Sequence, residues 1–295
     1  MTAQNYLTYL HLLTPLHTGG SADEGNLMGI AREVHTEFPY LPASSLRGKI
    51  RSTIESQDEL KDQAGVFFGQ KIKDGQQPTE GEVWFADATL LFFPIASLSH
   101  HLVWITCPLW LDRWSRWIAG DSSEVQAFIK KCLADFKQKD KSISAILSFP
   151  TKDLYLQTAF LKSANLVDDE DFSSIQNQLE ILTQGSSLLG SLFDKLIILP
   201  NEDCAALVEI GLQREVRVAL EEDSKTVKGG SFRSEEAIPP EAVLFFPWGE
   251  KSSKSDTSIV RESLQTQLSK PTQFGGLEGL GRGWASLKTV PHQEG

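Results

Sequence analysis

"NYLTYLHLLTPLHTGG", residues 5 to 20, is a run of alternating character, rich in Leu and Tyr, that stops at Pro15 and a Gly19–Gly20 pair. Alternation predicts a β-strand, and a proline followed by two glycines predicts the loop that leaves it. The loop runs on as "HTGGSADEGNLMGIARE" (17–33), with one histidine, four glycines, three acids and one arginine. Two readings stand open for it, a metal or phosphate site and a polar loop that solvent tolerates. Beyond it, "FPYLPASSLRGKIRSTIESQ" (38–57) places Leu46, Ile50 and Ile54 at i, i+4 and i+8 behind Ser44 or Ser45 as N-cap, which predicts an amphipathic helix. The chain therefore opens as strand, loop, helix.

Arg47, Lys49 and Arg51 crowd the first turns of that helix. Free N–H groups and the macrodipole favour anions at a helix N-terminus, so a phosphate contact and a solvated basic face both fit. The whole chain is acidic, with 28 cations against 39 acids and a net charge of −11. That excess disfavours indiscriminate binding to a polyanion, so any nucleic-acid site has to be local. At 295 residues, 40% hydrophobic and 23% charged, the composition is that of a soluble globular protein of one large domain or two ordinary ones. No apolar run approaches a membrane span and the N-terminus lacks a signal peptide, so the expectation is cytoplasmic with no membrane partner. Cys107, Cys132 and Cys204 are far apart and form no C-x-x-C pair, which predicts buried, reduced thiols.

Further along, "GEVWFADATLLFFPI" (81–95) predicts a strand closed by Pro94, and "HLVWITCPLWLDRW" (101–114) a strand leading into a helix that buries Trp110, Trp114 and Trp117. The pattern from 118 to 200 is helical and polar, with an exposed acidic loop at "DDEDF" (168–172). Residues 212–248 pair two β-rich flanks around a charged, glycine-bearing tip with Lys225, Lys228 and Arg233, the pattern of a long hairpin or arm. "EKSSKSDTS" (250–258) predicts a polar connection. "FGGLEGLGRGWASLK" (274–288) crowds Gly275, Gly276, Gly279, Gly281 and Gly283 before a terminal strand, and matches neither a mononucleotide nor a dinucleotide fingerprint.

The order of these signals resembles a known family. "LTPLHTGG", "REVHTEFPYLPASSLRGKIR", "GEVWFADATLLFFPI", "LVWITCPLWLDR", "TVKGGSFRSEEAIPPEAVLFF" and "GGLEGLGRGW" together resemble the RAMP (repeat-associated mysterious protein) family, and within it the Cas7-type backbone subunits of type III-B CRISPR effector complexes. The resemblance implies an α+β fold: a modified RRM or ferredoxin-like palm, β-α-β-β-α-β, with an inserted helical region and a protruding β-hairpin thumb. It implies one domain over 1–295, with the palm in 1–117 and 259–295, the helical insertion at about 118–200 and the thumb at about 212–248. It further implies antiviral defence, in which copies stack as a filament along a CRISPR RNA (crRNA) and each thumb kinks the pairing of guide and target RNA. The partners implied are crRNA, target RNA, further copies of the chain, and the other type III subunits: Cas10, a Cas5-like subunit, a small subunit and capping RAMP subunits.

A grip that accepts any guide works through phosphate and sugar. The positions that match such a groove are His17, Arg32, Ser45, Arg47, Lys49, Arg51, Lys228, Arg233, Gly276, Gly279, Gly281 and Arg282; for His17, packing at a strand end is the competing reading. In the family an aspartate in the loop after the first strand supports metal-dependent cleavage, through attack of a ribose 2′-OH on the neighbouring phosphate. It precedes a P-I-x-R-E pattern by one residue, and here the text is "NLMGIARE", which sets the position at Asn26 or Leu27. Neither ionises. Three outcomes stay open: an isosteric Asp→Asn change, natural or introduced, that silences cleavage; transfer of the role to Asp23 or Glu24, with Mg²⁺ or Mn²⁺ as the divalent metal; and acids that only solvate the loop. The alternative functions are a stand-alone metal-dependent endoribonuclease or crRNA processor, a catalytically silent RNA-binding scaffold, and a structural oligomer without RNA.

Overall fold

The computed structural model describes residues 5–20, 23–24, 27–70, 77, 79–138, 143–168, 172–184, 187–218, 221, 223, 227, 232–251 and 258–292. The opening run forms β1 (Asn5–Leu12), and the loop after it carries two short strands, β2 (Asp23–Glu24) and β3 (Leu27–Met28), before β4 (Tyr40–Leu41) and helix α1 (Ala43–Glu55). Leu46, Ile50 and Ile54 are the buried stripe of α1. Its cap is not a serine. Pro42 occupies the cap position with extended backbone, Ser44 and Ser45 fall inside the first turn, and Asp87 Oδ1 accepts the Ala43 N–H at 2.7 Å. A carboxylate from a neighbouring strand end thus does what the local serines were expected to do.

Next come α2 (Ala64–Phe68), β5 (Val83–Phe85), β6 (Ala88–Ser97), β7 (His101–Thr106) and α3 (Pro108–Ser115). Pro94 lies inside β6 instead of closing it. Its register partner Trp104 sends its N–H away from β6, to Lys195 O, so the missing proline donor leaves no gap in the ladder. Trp110 and Trp114 are fully buried as expected, with Trp114 Nε1 donating to Tyr9 Oη at 2.9 Å, while Trp117 falls just past the helix.

The region from 118 to 200 is not simply helical. It contains α4 (Ser123–Phe136), then β8 (Ala145–Leu147), β9 (Asp153–Leu156), β10 (Ala159–Lys162) and β11 (Leu166–Asp168), then α5 (Ser173–Gln178), α6 (Glu180–Thr183), α7 (Ser187–Gly190) and β12 (Leu196–Ile198). The triplets Ala145–Leu147 and Leu196–Ile198 are buried outright, and β12 pairs parallel with β7 and antiparallel with β8. Three apolar residues in a polar background are too few to register as a period.

Helix α8 (Asn201–Gly211) leads to β13 (Gln213–Arg217), β14 (Arg233–Ala237), β15 (Val243–Glu250), α9 (Ser258–Gln267), β16 (Thr272–Gln273) and β17 (Trp284–His292). The arm is shorter than expected. β13 and β14 make its hairpin, whereas all of β15 is buried and lies between β1 and β6 in the main sheet. A strand buried on both faces is a core strand, not part of an arm. The sheet order is β11-β8-β12-β7-β6-β15-β1-β17-β16. Its centre, β6-β15-β1-β17 with α1 between β1 and β6 and α9 between β15 and β17, is the expected β-α-β-β-α-β arrangement.

Each face of this sheet has its own core. Tyr6 and Leu10 pack with Leu46, Ile50, Leu264 and Leu268 on the α1 and α9 side. Leu7 and Tyr9 pack with Trp104, Trp114, Phe128 and Ile129 on the α3 and α4 side. Cys107, Cys132 and Cys204 are buried free thiols. Among the described residues no helix is long and apolar enough to cross a membrane.

Candidate functional site

A second sheet, β13-β14-β3-β2, joins the thumb to the loop after β1. β3 runs parallel to β14, with Leu27 opposite Ser234 and Met28 opposite Glu235, and β2 pairs antiparallel with β3. Leu16 and Ile238 exchange both backbone hydrogen bonds at the root, at 2.8 and 2.9 Å. The expected catalytic loop and the expected thumb are thus neighbouring strands. Leu27 is half-buried in this sheet. The side chains of Asp23 and Glu24, and all of Asn26 and Lys228, lie outside the described residues.

His17 is the pin between these parts and the glycine-rich loop. It is 5% exposed, its Nδ1–H donates to Glu236 O at 2.8 Å, and its own carbonyl accepts the Gly276 N–H at 2.8 Å. A ring so placed packs and orients, which fits the packing reading of His17 at a strand end. The Gly281 N–H is likewise spent inside its turn, on Glu278 O at 2.9 Å. The amides of Gly276 and Gly281 are therefore not free for phosphate; of the three expected glycines, Gly276 lies against the His17 ring, while Gly279 and Gly281 have open space around them.

Two closed rings of ion pairs flank the thumb root. In the first, Arg32 bridges Glu236 Oε2 (2.9 Å) and Glu209 Oε2 (2.6 Å), while Arg214 bridges Glu236 Oε1 (3.0 Å) and Glu209 Oε1. Two guanidinium groups and two carboxylates saturate one another, with Glu236 only 3% exposed. Arg32 is therefore held as a partner of both the thumb and α8. Glu33, the next residue, turns the other way and takes Arg113 in a bidentate pair at 2.7 and 3.0 Å. The adjacent Arg and Glu of "REVHTEF" thus tie the loop to the thumb on one side and to α3 on the other.

The second ring lies on the opposite face of β14. Glu215 and Glu235 stand directly across the hairpin from one another, a like-charge pair that is unfavourable by itself. Arg282 Nη2 lies 2.6 Å from Glu215 and 3.6 Å from Glu235, and Arg217 lies 2.7 Å from Glu235 and 3.4 Å from Glu215. Arg217 Nε, Arg282 Nε and Glu235 Oε2 have no aligned hydrogen-bond partner, so much of this ring is charge contact. The hydrogen bond from Arg282 holds the Glu215 carboxyl below its usual range. At 8% exposure Arg282 is buried, and it clamps the glycine-rich loop to the thumb.

On α1 the expected cations divide. Arg47 donates to Phe68 O and stands 6.0 Å over the Phe68 ring, and Arg51 pairs with Glu55 at 2.9 Å. Lys49 reaches Glu278 in the glycine-rich loop at 3.0 Å, a partly exposed pair of the kind that contributes about 0–1 kcal/mol and exchanges easily for another anion. Ser45 is half-buried beside it. Arg233 is exposed, makes no ion pair with a described residue and faces Arg217 across the hairpin. Of the expected cations among the described residues, Arg233 makes no ion pair and Lys49 makes only this partly exposed one.

Between the β3 loop, α8 and the thumb is a cavity of about 770 Å³, lined by Gly20, Leu27, Ala205, Ala206 and the first ring. Its acids are Glu37, Glu209 and Glu236, and the last two carry arginine on every oxygen. Among the described residues no group of three His, Cys, Asp or Glu could hold a metal ion; the side chains of Asp23 and Glu24 and all of Asn26, where the resemblance implies the divalent cation, lie outside the described residues. Glu209, Arg214, Glu215, Arg217, Glu235 and Glu236 were not expected at the site. The available signal was "RSEEA": two adjacent acids on a strand put one on each face, and each then needs a cation.

A model of the RAMP superfamily matches residues 9–286. A curated relative, the CRISPR system Cmr endoribonuclease Cmr4 of Pyrococcus furiosus, is 26% identical over 98% of each chain. Among solved structures, a type III-B Cmr-beta complex bound to cognate target RNA contains a chain that matches with a TM-score of 0.73 at 21% identity, over 98% of this chain and 97% of that one. The oligomeric Cmr4 of Pyrococcus furiosus matches with a TM-score of 0.68 at 23% identity, over 99% and 100%.

Proposed function

This chain belongs to the RAMP superfamily, and on that footing we propose that it is a repeating backbone subunit of a type III-B CRISPR effector complex. Copies line a crRNA in the cytoplasm, alongside Cas10, a Cas5-like subunit, a small subunit and capping RAMP subunits, and hold target RNA against the guide. The observation that carries the reading is the shared sheet: β3 and β14 are hydrogen-bonded neighbours, so a thumb that enters the guide–target pairing brings the loop of Asp23 and Asn26 with it. The names of the relatives, an endoribonuclease and a subunit of a complex with target RNA, support the same reading.

In this reading Asn26 occupies the place of the family's carboxylate. An amide keeps the shape and loses the charge, so the wild-type chain grips target RNA and leaves it uncut. No step is assigned to a metal. Lys49 and Arg233 supply phosphate contacts on either side of the thumb root, which reconciles local RNA binding with a net charge of −11.

Lys49→Gln is expected to weaken binding of single-stranded RNA several-fold, equally for unrelated sequences, and to lower the slope of log Kd against log salt by about 0.7. Fluorescence anisotropy at four salt concentrations measures both. An unchanged slope would remove Lys49 from the groove.

A further inference from the structure

The two rings at the thumb root differ in one respect. In the second, Glu235 and Arg282 are both buried. The first opens on the 770 Å³ cavity, within the roughly 300–1,000 Å³ of small-molecule sites, and its two carboxylates are unequal. Glu236 is 3% exposed and fixed between strands, whereas Glu209, at the end of α8, is 47% exposed. The guanidinium groups they share are partly open, Arg32 at 22% and Arg214 at 49%.

We propose that Arg32 and Arg214 form a phosphodiester site in which Glu209 is a displaceable stand-in for the phosphate. The inference rests on the RNA-binding reading above and gives it an anion site that includes two residues unexpected from the sequence. A phosphate oxygen pair has the same bidentate geometry towards guanidinium as a carboxylate. Glu236 keeps both arginines in place, accepting from Arg32 Nη2 and from Arg214 Nε and Nη2, while Glu209 swings into solvent. The arginines need no reordering, because the ring already holds them, and a prearranged site saves the entropy of fixing long side chains. The small side chains of Ala205 and Ala206 and the glycine backbone at Gly20 and Gly29 leave room for the nucleotide attached to that phosphate. Glu37 stands at the rim and offers its backbone carbonyl, not its carboxylate, to Arg32.

Glu209→Gln keeps the shape of the side chain and removes its charge. It is expected to tighten binding of a fluorescein-labelled, mixed-sequence 30-nucleotide RNA at least threefold at 0.1 M salt. In an Arg214→Gln background the gain is expected to shrink to less than 1.5-fold, because the competition it relieves is gone. Arg214→Lys, which keeps the charge but loses the fork, is expected to bind RNA more weakly than wild type. Thermal melting of each variant shows that the fold is kept; Glu209 and Arg214 are both half-exposed. An equal gain in both backgrounds would reveal only a general charge effect and overturn the site while leaving the RNA-binding reading intact, as would no gain at all. Absence of RNA binding by wild type would overturn the reading itself, and the site with it.

Discussion

Gly283→Ala is expected to lower the thermal midpoint by about 8–15 °C, or to yield no soluble protein at 37 °C. Gly283 has φ +82°, a region that costs an L-residue energy, and a Cβ built there lies 1.8 Å from Phe274 O. The obstacle is backbone, so no rotamer change relieves it. Relief means breaking the Phe274 N–H bond to Gly283 O (2.9 Å), which closes the glycine-rich loop on itself, and the Gly283 N–H bond to Pro15 O (2.8 Å), which ties that loop to the segment after β1. Losing both, with the docking of Arg282 next door, places the cost at about 4–5 kcal/mol, in the exceptional tail for single substitutions. Gly279→Ala, in open space four residues earlier, is expected to shift the midpoint by less than 2 °C. Equal effects at the two positions would show that the loop is not held as described.

The second large effect is expected for Arg282→Ala. It strips the closer cation from Glu215 and leaves Arg217 alone to offset Glu215 and Glu235, which face one another across the hairpin with Glu235 only 6% exposed. Breaking a buried pair from one side costs about 3–5 kcal/mol when the remaining charge is left without a partner; with Arg217 still beside Glu235, the loss is expected at the lower end of that range. The midpoint should fall by about 6–12 °C, and Glu235→Gln should recover part of the loss in the double variant. A pH series gives a separate check. Arg282 depresses the folded-state pKa of Glu215 below 4.5, so its contribution is present above that value and is lost as pH falls through the lowered folded value. Arg282→Ala should therefore lose stability relative to wild type at neutral pH and converge on it in acid. Parallel pH curves would contradict the pairing.

How much of this was legible beforehand depends on the range of the interaction. The strand and helix of the opening, the β7–α3 junction and the buried Trp110 and Trp114 follow from local periodicity, which is a property of neighbours in the chain. Where periodicity needs length, it failed: β8 and β12 are apolar triplets, and they disappeared into a polar background. Pro94 misled because a proline ends a strand only where its N–H was needed, and here Trp104 bonds on its other side. Nothing in 212–248 marks where an exposed hairpin passes into a strand covered on both faces, so the sequence alone places β15 with the arm.

The site was legible in its parts but not in its pairings. The sequence shows that Arg32, Lys49, Arg233 and Arg282 are cations in a plausible groove, but not which of them are already neutralised. Arg32 meets Glu209 and Glu236, 177 and 204 positions away, and Arg282 meets Glu215 and Glu235. Only the fold brings such residues together. Arg282 and His17 tie the thumb root together, and Arg32 is held between Glu209 and Glu236.

The most direct test of the backbone-subunit reading is a target-RNA assay on the complex assembled with a defined crRNA in Mg²⁺, with wild type beside Asn26→Asp and the fragments resolved at single-nucleotide length. Both forms are expected to retain a complementary target far more strongly than a mismatched one, with wild type leaving it intact and Asn26→Asp cutting it at a constant interval. Equal retention of complementary and mismatched RNA by both forms, with no cut at constant spacing from either, would contradict the account.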